Sequence, residues 1–122
     1  MSEILAQGIS VVVPVYNSEG TLRDLIARLE PVLRAAVPDF EVILVNDGSP
    51  DASGEIAGGL AKKHDWVVAI DLMRNFGQHN ATLCGIRAAR FDTVVTIDDD
   101  LQNQPEEIPK LLERIEEGCE VV

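Results

Sequence analysis

Four apolar runs rich in β-branched residues, separated by segments with helical spacing, constrain the fold of this 122-residue chain most strongly. The predicted strands are 9–16, 40–46, 66–72 and 92–99, and the predicted helices between them are 21–36, 49–64 and 77–90. Short helices between strands that are apolar on both faces indicate a parallel sheet with helices on both sides. Since crossovers are right-handed, we predict a Rossmann-like α/β fold with the sheet order 3-2-1-4.

Turn and cap residues mark the starts of two predicted helices. Ser49 can cap the second helix, and Pro50 suits its first turn. A fourth helix is predicted over 104–118, with Pro105 at its start. The final residues, 119–122, have the pattern of a fifth strand. We therefore expect residues 1–122 to be one domain truncated at its C-terminus, with an open strand edge that favours self-association.

Composition and charge exclude several classes of protein. A hydrophobic content of 46% is too high for a disordered chain. The net charge of -11, without any basic run, is a poor match to nucleic acid or to an anionic membrane surface. No apolar run approaches the roughly 18–20 residues of a membrane span. Cys84 and Cys119 lack metal-binding spacing, so we expect reduced thiols in a cytoplasmic protein.

Polar clusters follow three of the predicted strands. The segments are PVYNSEG after the first strand, NDGSPD after the second and DDDLQNQ after the fourth. Alone, NDGS is typical of a turn, PVYNSEG of a strand end followed by a capping Ser18, and DDD of a solvated or helix-flanking acidic run. The carboxyl ends of parallel strands meet at one edge of the sheet, and ligands bind there at the switch in strand order. The three clusters together therefore predict a binding site, with the polar segment after the third strand at its rim.

The acidic triplet 98–100 requires a partner for its charge. Asp98 and Asp100 are two residues apart, so an extended chain directs them to the same side. At a separation of about 5 Å and an effective dielectric of about 20, their repulsion is about 3 kcal/mol. A hard divalent cation would cancel this repulsion and could bridge to phosphate oxygens. A calcium loop starting at Asp98 fails, because Asn103 and Pro109 stand where that loop needs Gly and Glu.

Phosphate-binding loops of the common kinds are absent from the sequence. There is no GxGxxG after the first strand and no GxxxxGK[ST], which argues against dinucleotide and P-loop chemistry. An aspartyl-phosphate phosphatase or receiver domain would need Asp at the end of the first strand, where this chain has PVYN. A non-catalytic domain that binds nucleotide or a protein partner stays open as an alternative.

The segments VVVPVYNSEGTL, VILVNDGSPDAS and TIDDDLQNQPEEIPKLL resemble the successive nucleotide-binding motifs of family 2 glycosyltransferases, which are inverting enzymes with a GT-A fold. RNFGQHNATLCGIRAA and the DxDLQ form of the acidic motif resemble the branch that acts on dolichol or undecaprenyl phosphate. The resemblance implies metal-dependent transfer of a sugar from a UDP- or GDP-sugar to a polyprenyl phosphate, with Mg²⁺ or Mn²⁺ as the cofactor. It also implies a full-length protein at the cytoplasmic face of a membrane.

The resemblance implies the following nucleotide-binding roles. Pro14 and Tyr16 shape the pocket for the base and ribose, and Asp47 accepts a hydrogen bond from a ring nitrogen of the base. Relatives in this branch often have Glu directly after the Asn of the first motif. Here Asn17, which is also assigned to the nucleotide, is followed by Ser18 and then Glu19. It therefore stays open whether Ser18 or Glu19 contacts the nucleotide.

The resemblance also assigns the acidic motif. Asp98 and Asp100 would bind the metal and the diphosphate, and Gln102 would be a third ligand on the metal side. Asp99 would face either the ribose or solvent. A lipid phosphate is already ionised near neutral pH, so the acceptor needs no strong base. The catalytic residues on the acceptor side are expected beyond Val122.

Overall fold

The structure, a computed structural model, describes residues 8–97 and 108–110. Its strands are β1 (Ile9–Val15), β2 (Phe40–Asp47), β3 (Val67–Leu72) and β4 (Val94–Thr96), and its helices are α1 (Leu22–Ala36), α2 (Ser53–Lys63) and α3 (Gln78–Ala88). Residues 108–110 are also helical, within the predicted fourth helix. The rest of that helix and the predicted fifth strand, 119–122, lie outside the described residues.

The four strands form one parallel sheet with the order β3-β2-β1-β4, as the sequence predicts. In the register of the sheet, Val12 of β1 lies opposite Ile43 of β2 and Thr96 of β4. The chain therefore moves outward from β1 in one direction through β2 and β3, and in the other direction through β4. The switch in strand order falls between β1 and β4, where the predicted site should lie.

Side chains of β1 and β2 alternate between two apolar clusters on opposite faces of the sheet. Val11 and Val13 pack with α1 and α2, whereas Val12 and Val45 pack with α3. All four valines are fully buried. Helices therefore cover both faces of the central strands, as predicted. Within the described residues, no helix is long and apolar enough to cross a membrane.

A glycine lets α3 approach the sheet closely. A Cβ atom added at Gly85 would lie 2.4 Å from Cγ1 of Val12, well inside van der Waals contact. Ala81, one turn earlier, is also fully buried against the sheet. Small residues at these two positions let α3 lie close to β1 and β2.

Strand β3 departs from the expectation that every strand is covered on both faces. Val68 is 38% exposed, and Ala69 and Asp71 are also exposed. The reason is positional: β3 is at the edge of the described sheet, and α3 packs on β1 and β2. The apolar run of β3 therefore belongs to an edge strand.

The start of α2 differs from the prediction. The helix begins at Ser53, and its N-cap is Ala52, which makes no side-chain cap. The hydroxyl of Ser49, the predicted cap, instead accepts a hydrogen bond from the N–H of Asn17 at 3.2 Å. Ser49 and Pro50 thus belong to a loop that is bonded to the chain after β1.

A buried network positions the start of β4. The hydroxyl of Ser10 donates a 2.6 Å hydrogen bond to the Glu41 carboxylate, which also accepts one from the backbone N–H of Arg90. The N–H of Phe91 donates to the Ser10 oxygen at 3.2 Å. Ser10 and Glu41 on adjacent strands thereby fix the turn between α3 and β4, and with it the path that leads to the acidic triplet.

Candidate functional site

A cavity of about 370 Å³ lies at the carboxyl ends of β1 and β2. Its lining residues are Pro14, Val15, Tyr16, Asp47, Asn75, Gly77 and Gln78. Three residues predicted to bind nucleotide, Pro14, Tyr16 and Asp47, are thus brought together. Tyr16 is 44% exposed, so a ligand in the cavity can reach it. The structure therefore supports the prediction that the first two polar clusters share a site.

Asp47 is held in a fixed orientation by the chain that follows β3. Its Oδ1 atom accepts a 2.7 Å hydrogen bond from the backbone N–H of Phe76, and its Oδ2 atom accepts a 3.1 Å bond from that of Gly77. The side chain is 3% exposed. Each carboxylate oxygen has a second lone pair, so Asp47 can still accept from a ligand.

The segment from Arg74 to Gly77 forms a wall of the cavity, whereas the sequence placed it at the rim. Gly48 permits this path, because its φ of +65° suits glycine and an added Cβ would lie 2.4 Å from the backbone nitrogen of Asn75. Sequence reasoning missed Asn75 and Gln78 as lining residues. Their positions depend on how the chain returns from β3 to α3, which no local pattern specifies.

Hydrogen bonds join the loops that follow β1 and β2. The N–H of Ser18 donates to the Ser53 hydroxyl oxygen at 2.7 Å, and the N–H of Glu19 donates to Asp51 at 3.3 Å. The Glu19 carboxylate accepts a 3.2 Å bond from the N–H of Ala52 at the start of α2. In this structure, Glu19 therefore connects the two loops and does not line the 370 Å³ cavity.

Asn17 stands at the turn of the same loop. Its φ of +54° is in the left-handed region that Asn tolerates better than most residues. Its side chain is exposed, and it does not line the cavity. The nucleotide contacts of Asn17 and Glu19, and the choice between Ser18 and Glu19, stay predictions.

The pKa of the Asp51 carboxyl lies below its ordinary value. A hydrogen bond from the Ser53 side chain is the main cause, and the backbone N–H groups of Ser53 and Glu19 act in the same direction. These donors favour the ionised carboxylate. Asp51 thus carries its negative charge as part of the link between the two loops.

The predicted metal ligands lie outside the described residues. Asp98, Asp99, Asp100 and Gln102 directly follow Ile97, whose N–H donates a 3.1 Å hydrogen bond to the carbonyl of Val12. The chain therefore enters the acidic triplet from the strand next to β1. Between residues 8 and 97 and at 108–110, no group of three or more His, Cys, Asp or Glu residues could hold a metal ion. The metal site stays a prediction.

A larger groove of about 900 Å³ runs between α1 and α2. It contains Glu19 but no other residue predicted for the site. Acidic, basic and apolar side chains, most of them from the two helices, line this groove, and no strand ends meet there. We therefore assign the ligand-binding site to the smaller cavity, where strand ends and polar side chains converge.

A family model described as Glycosyl transferase family 2 matches residues 10–122, nearly the whole chain. The chain belongs to glycosyl transferase family 2. The resemblance seen in the sequence motifs is thereby confirmed. The cavity lies where the first two of those sequence motifs meet.

Curated family 2 relatives are named for lipid-phosphate chemistry. An undecaprenyl-phosphate 4-deoxy-4-formamido-L-arabinose transferase from Pseudomonas paraeruginosa (strain DSM 24068 / PA7) is 49% identical over 115 residues, which are 93% of this chain. A transferase of the same name from Enterobacter sp. (strain 638) is 44% identical over 115 residues. The chain covers 34% and 35% of these two proteins, so it spans about a third of the length of the curated relatives it matches.

Solved structures of glycosyltransferases share the GT-A fold. S. aureus TarS 1-349 superposes with a TM-score of 0.67 at 26% identity, over 89% of this chain and 32% of that one. The mannosyltransferase PcManGT from Pyrobaculum calidifontis, solved in complex with GDP-Man and Mn²⁺, gives a TM-score of 0.73 at 20% identity, over 86% of this chain and 31% of that one. The predicted fold class is therefore confirmed.

Proposed function

We propose that this chain forms the donor-binding part of a metal-dependent inverting glycosyltransferase, which moves a sugar from a nucleoside diphosphate to a polyprenyl phosphate. The observation that carries the proposal is the cavity in which Pro14, Tyr16 and Asp47 converge at the carboxyl ends of β1 and β2, beside the switch in strand order. Family membership supports glycosyl transfer, and the names of the curated relatives support the lipid-phosphate acceptor.

The cavity can accommodate a nucleotide base through shape and one hydrogen-bonding group. The exposed ring of Tyr16 offers a flat apolar surface beside Pro14. The Asp47 carboxylate can accept a hydrogen bond from a ring N–H of uracil or guanine. Because the N–H groups of Phe76 and Gly77 already orient that carboxylate, binding requires little reordering of the side chain.

The acidic motif completes the proposed donor site. Asp98, Asp100 and Gln102 would hold Mg²⁺ or Mn²⁺, and Asp99 would contact the ribose. Oxygen ligands of this kind suit a hard divalent cation. When bound, the metal would stabilise negative charge on the departing nucleoside diphosphate.

The acceptor would attack the anomeric carbon from the face opposite the leaving group, which inverts the configuration there. A polyprenyl phosphate oxygen is already ionised near neutral pH, so the step needs no strong general base. The part of the relatives' length that this chain does not span would supply the acceptor-side residues. The natural protein would act at the cytoplasmic face of a membrane.

Thermal stabilisation of the chain by nucleotides tests the donor assignment. UDP or GDP with Mn²⁺ should raise the melting temperature, whereas Mn²⁺ with inorganic phosphate should not. Replacing Tyr16 by Ala should reduce the shift, because the base would lose its stacking surface. The matched control is Phe76→Ala, which removes an exposed ring that does not line this cavity. An equal reduction of the melting-temperature shift in both variants would mean that the base binds outside this cavity.

A turnover assay separates an enzyme from a non-catalytic nucleotide-binding module. Two proteins are compared: the chain alone, and a full-length relative in which this chain replaces the matching segment. Each is incubated with sugar nucleotides, Mn²⁺ and a polyprenyl phosphate. We expect glycolipid only from the exchanged full-length protein. Nucleotide binding without glycolipid from that protein would favour the non-catalytic alternative.

A further inference from the structure

The charge of this acidic chain is distributed unevenly along its length. Among its 122 residues, 21 are Asp or Glu, yet none occurs between Asp71 and Asp92. That interval includes three arginines, Arg74, Arg87 and Arg90. The acidic residues that border it lie apart from α3. Asp71 accepts a 2.7 Å hydrogen bond from Asn46, and Asp92 precedes β4 at the opposite edge of the sheet.

The same interval carries most of the exposed apolar side chains. Of the six large hydrophobic residues that are exposed among the described residues, four lie in it: Met73 at 99%, Phe76 at 44%, Leu83 at 38% and Ile86 at 40%. Isolated exposed apolar residues need no explanation, but a group of them on one segment indicates an interaction surface.

Helical geometry places Leu83 on the side of α3 that faces away from the sheet. Ala81 and Gly85 are buried against the strands, and Leu83 is two residues from each of them. Since successive helical residues are rotated by about 100°, Leu83 lies nearly opposite both. The usual amphipathic pattern is thus altered, because apolar side chains occupy the outward side as well as the inward one.

Cationic groups flank these apolar side chains. The Arg74 guanidinium lies 4.9 Å from the centre of the Phe76 ring. Arg87 lines a shallow groove of about 370 Å³ together with Phe76, Asn80, Leu83 and Cys84. We call Arg74, Phe76, Leu83, Ile86 and Arg87 the α3 outer surface. It combines apolar and positively charged side chains and contains no carboxylate.

We propose that the α3 outer surface docks on an anionic phospholipid bilayer. This inference rests on the proposed function, in which the acceptor is a membrane lipid. Leu83 and Ile86 enter the boundary between headgroups and acyl chains, and Arg74 and Arg87 contact lipid phosphates. The groove and the donor cavity are joined through Phe76 and Gly77, so docking brings the donor site close to the membrane.

The net charge of -11 does not prevent this contact. Exposed charges farther away than about 8–10 Å are largely screened at physiological ionic strength. The bilayer therefore interacts mainly with the surface that faces it. The acidic remainder of the chain favours one orientation, with α3 towards the lipid. The expectation from average charge treats the surface as uniform, whereas the charges of this chain are unevenly distributed.

Co-sedimentation with lipid vesicles tests the docking surface. The chain should partition onto phosphatidylglycerol-containing vesicles more strongly than onto pure phosphatidylcholine, and high salt should weaken the partition. Arg87→Glu should weaken it roughly thirtyfold, from about 1 kcal/mol for each unit of charge changed. Arg23→Glu is the matched control, since Arg23 is exposed on α1, across the sheet, and its reversal alters net charge equally. The double change Leu83→Ser and Ile86→Ser should weaken binding to anionic vesicles without altering charge.

Three outcomes would overturn the docking proposal. The first is equal partition of the Arg87→Glu and Arg23→Glu variants onto anionic vesicles, and the second is equal binding of the wild type to neutral and anionic vesicles. The third is the absence of vesicle binding by a wild-type chain that binds UDP with Mn²⁺. Circular dichroism and nucleotide binding are measured on every variant. A wild-type chain that binds vesicles but no nucleotide would refute the proposed function and leave the docking surface standing.

Discussion

The Oδ1 atom of Asp47 accepts a 2.7 Å hydrogen bond from the backbone N–H of Phe76, across a sequence separation of 29 residues. The bond joins the end of β2 to the segment that precedes α3. Asp47, which is predicted to recognise the base, therefore also holds in place the segment that lines the cavity. Loss of the Asp47 carboxylate should affect both ligand binding and local structure.

Asp47→Asn should lower the free energy of unfolding by about 1–3 kcal/mol, because an amide has one acceptor oxygen for two N–H donors. The amide hydrogens of Phe76 and Gly77 should exchange faster with solvent, as hydrogen exchange measured by NMR would show. Asp65→Asn is the control, since Asp65 is exposed ahead of β3 at the other end of the sheet. Unchanged exchange at both amides would contradict the geometry.

Gly48→Ala should destabilise the fold by about 1–3 kcal/mol, because alanine must adopt a φ of +65° with its Cβ against the backbone of Arg74 and Asn75. Gly59→Ala makes a matched pair: it lies inside α2 with open space around it and should stabilise by about 0.5–1 kcal/mol. Chemical denaturation measures both. Changes in the free energy of unfolding that have the same sign in both variants would contradict the crowding at Gly48.

The sheet order, and the convergence of Pro14, Tyr16 and Asp47 at one edge, could be predicted from the sequence. Strand periodicity is a local pattern, and the right-handed crossover is a general rule. The predictions failed where a residue forms its hydrogen bond or contact with a residue distant in the chain. Ser49 looked like a cap for α2, but its hydroxyl bonds to the N–H of Asn17 in the facing loop. The segment containing Asn75 looked peripheral, and only the tertiary path from β3 to α3 brings it over Asp47.

Ser10→Ala should lower the free energy of unfolding by about 1–3 kcal/mol, although it removes a single hydroxyl. The Glu41 carboxylate is 6% exposed and would lose a 2.6 Å donor without access to water in its place. Thr82→Ala provides the comparison, because the Thr82 hydroxyl bonds to a carbonyl on its own exposed helix face. Unfolding free energies that agree within about 0.3 kcal/mol for the two variants would contradict a buried network.

The link between the first two loops should weaken in acid. Hydrogen bonds, chiefly from Ser53, lower the pKa of Asp51 in the folded chain. Its contribution to stability is therefore complete above the unfolded pKa of about 4, and it is lost as the pH falls through the lower folded pKa. The difference in unfolding free energy between the wild type and Asp51→Asn should be constant near neutral pH and shrink below about pH 4. A difference that does not vary with pH would contradict this role.

Calorimetric titration of UDP and GDP, with and without Mn²⁺, tests the central claim most directly when wild type, Asp100→Asn and Asp65→Asn are compared. Wild type and Asp65→Asn should bind a nucleoside diphosphate only with Mn²⁺ present, because the cation offsets the repulsion between the diphosphate and the acidic triplet. Asp100→Asn should weaken that binding by at least about tenfold, or about 1.4 kcal/mol. Equal affinity of the three proteins, or undiminished binding without the metal, would contradict a metal-dependent donor site at the end of β4.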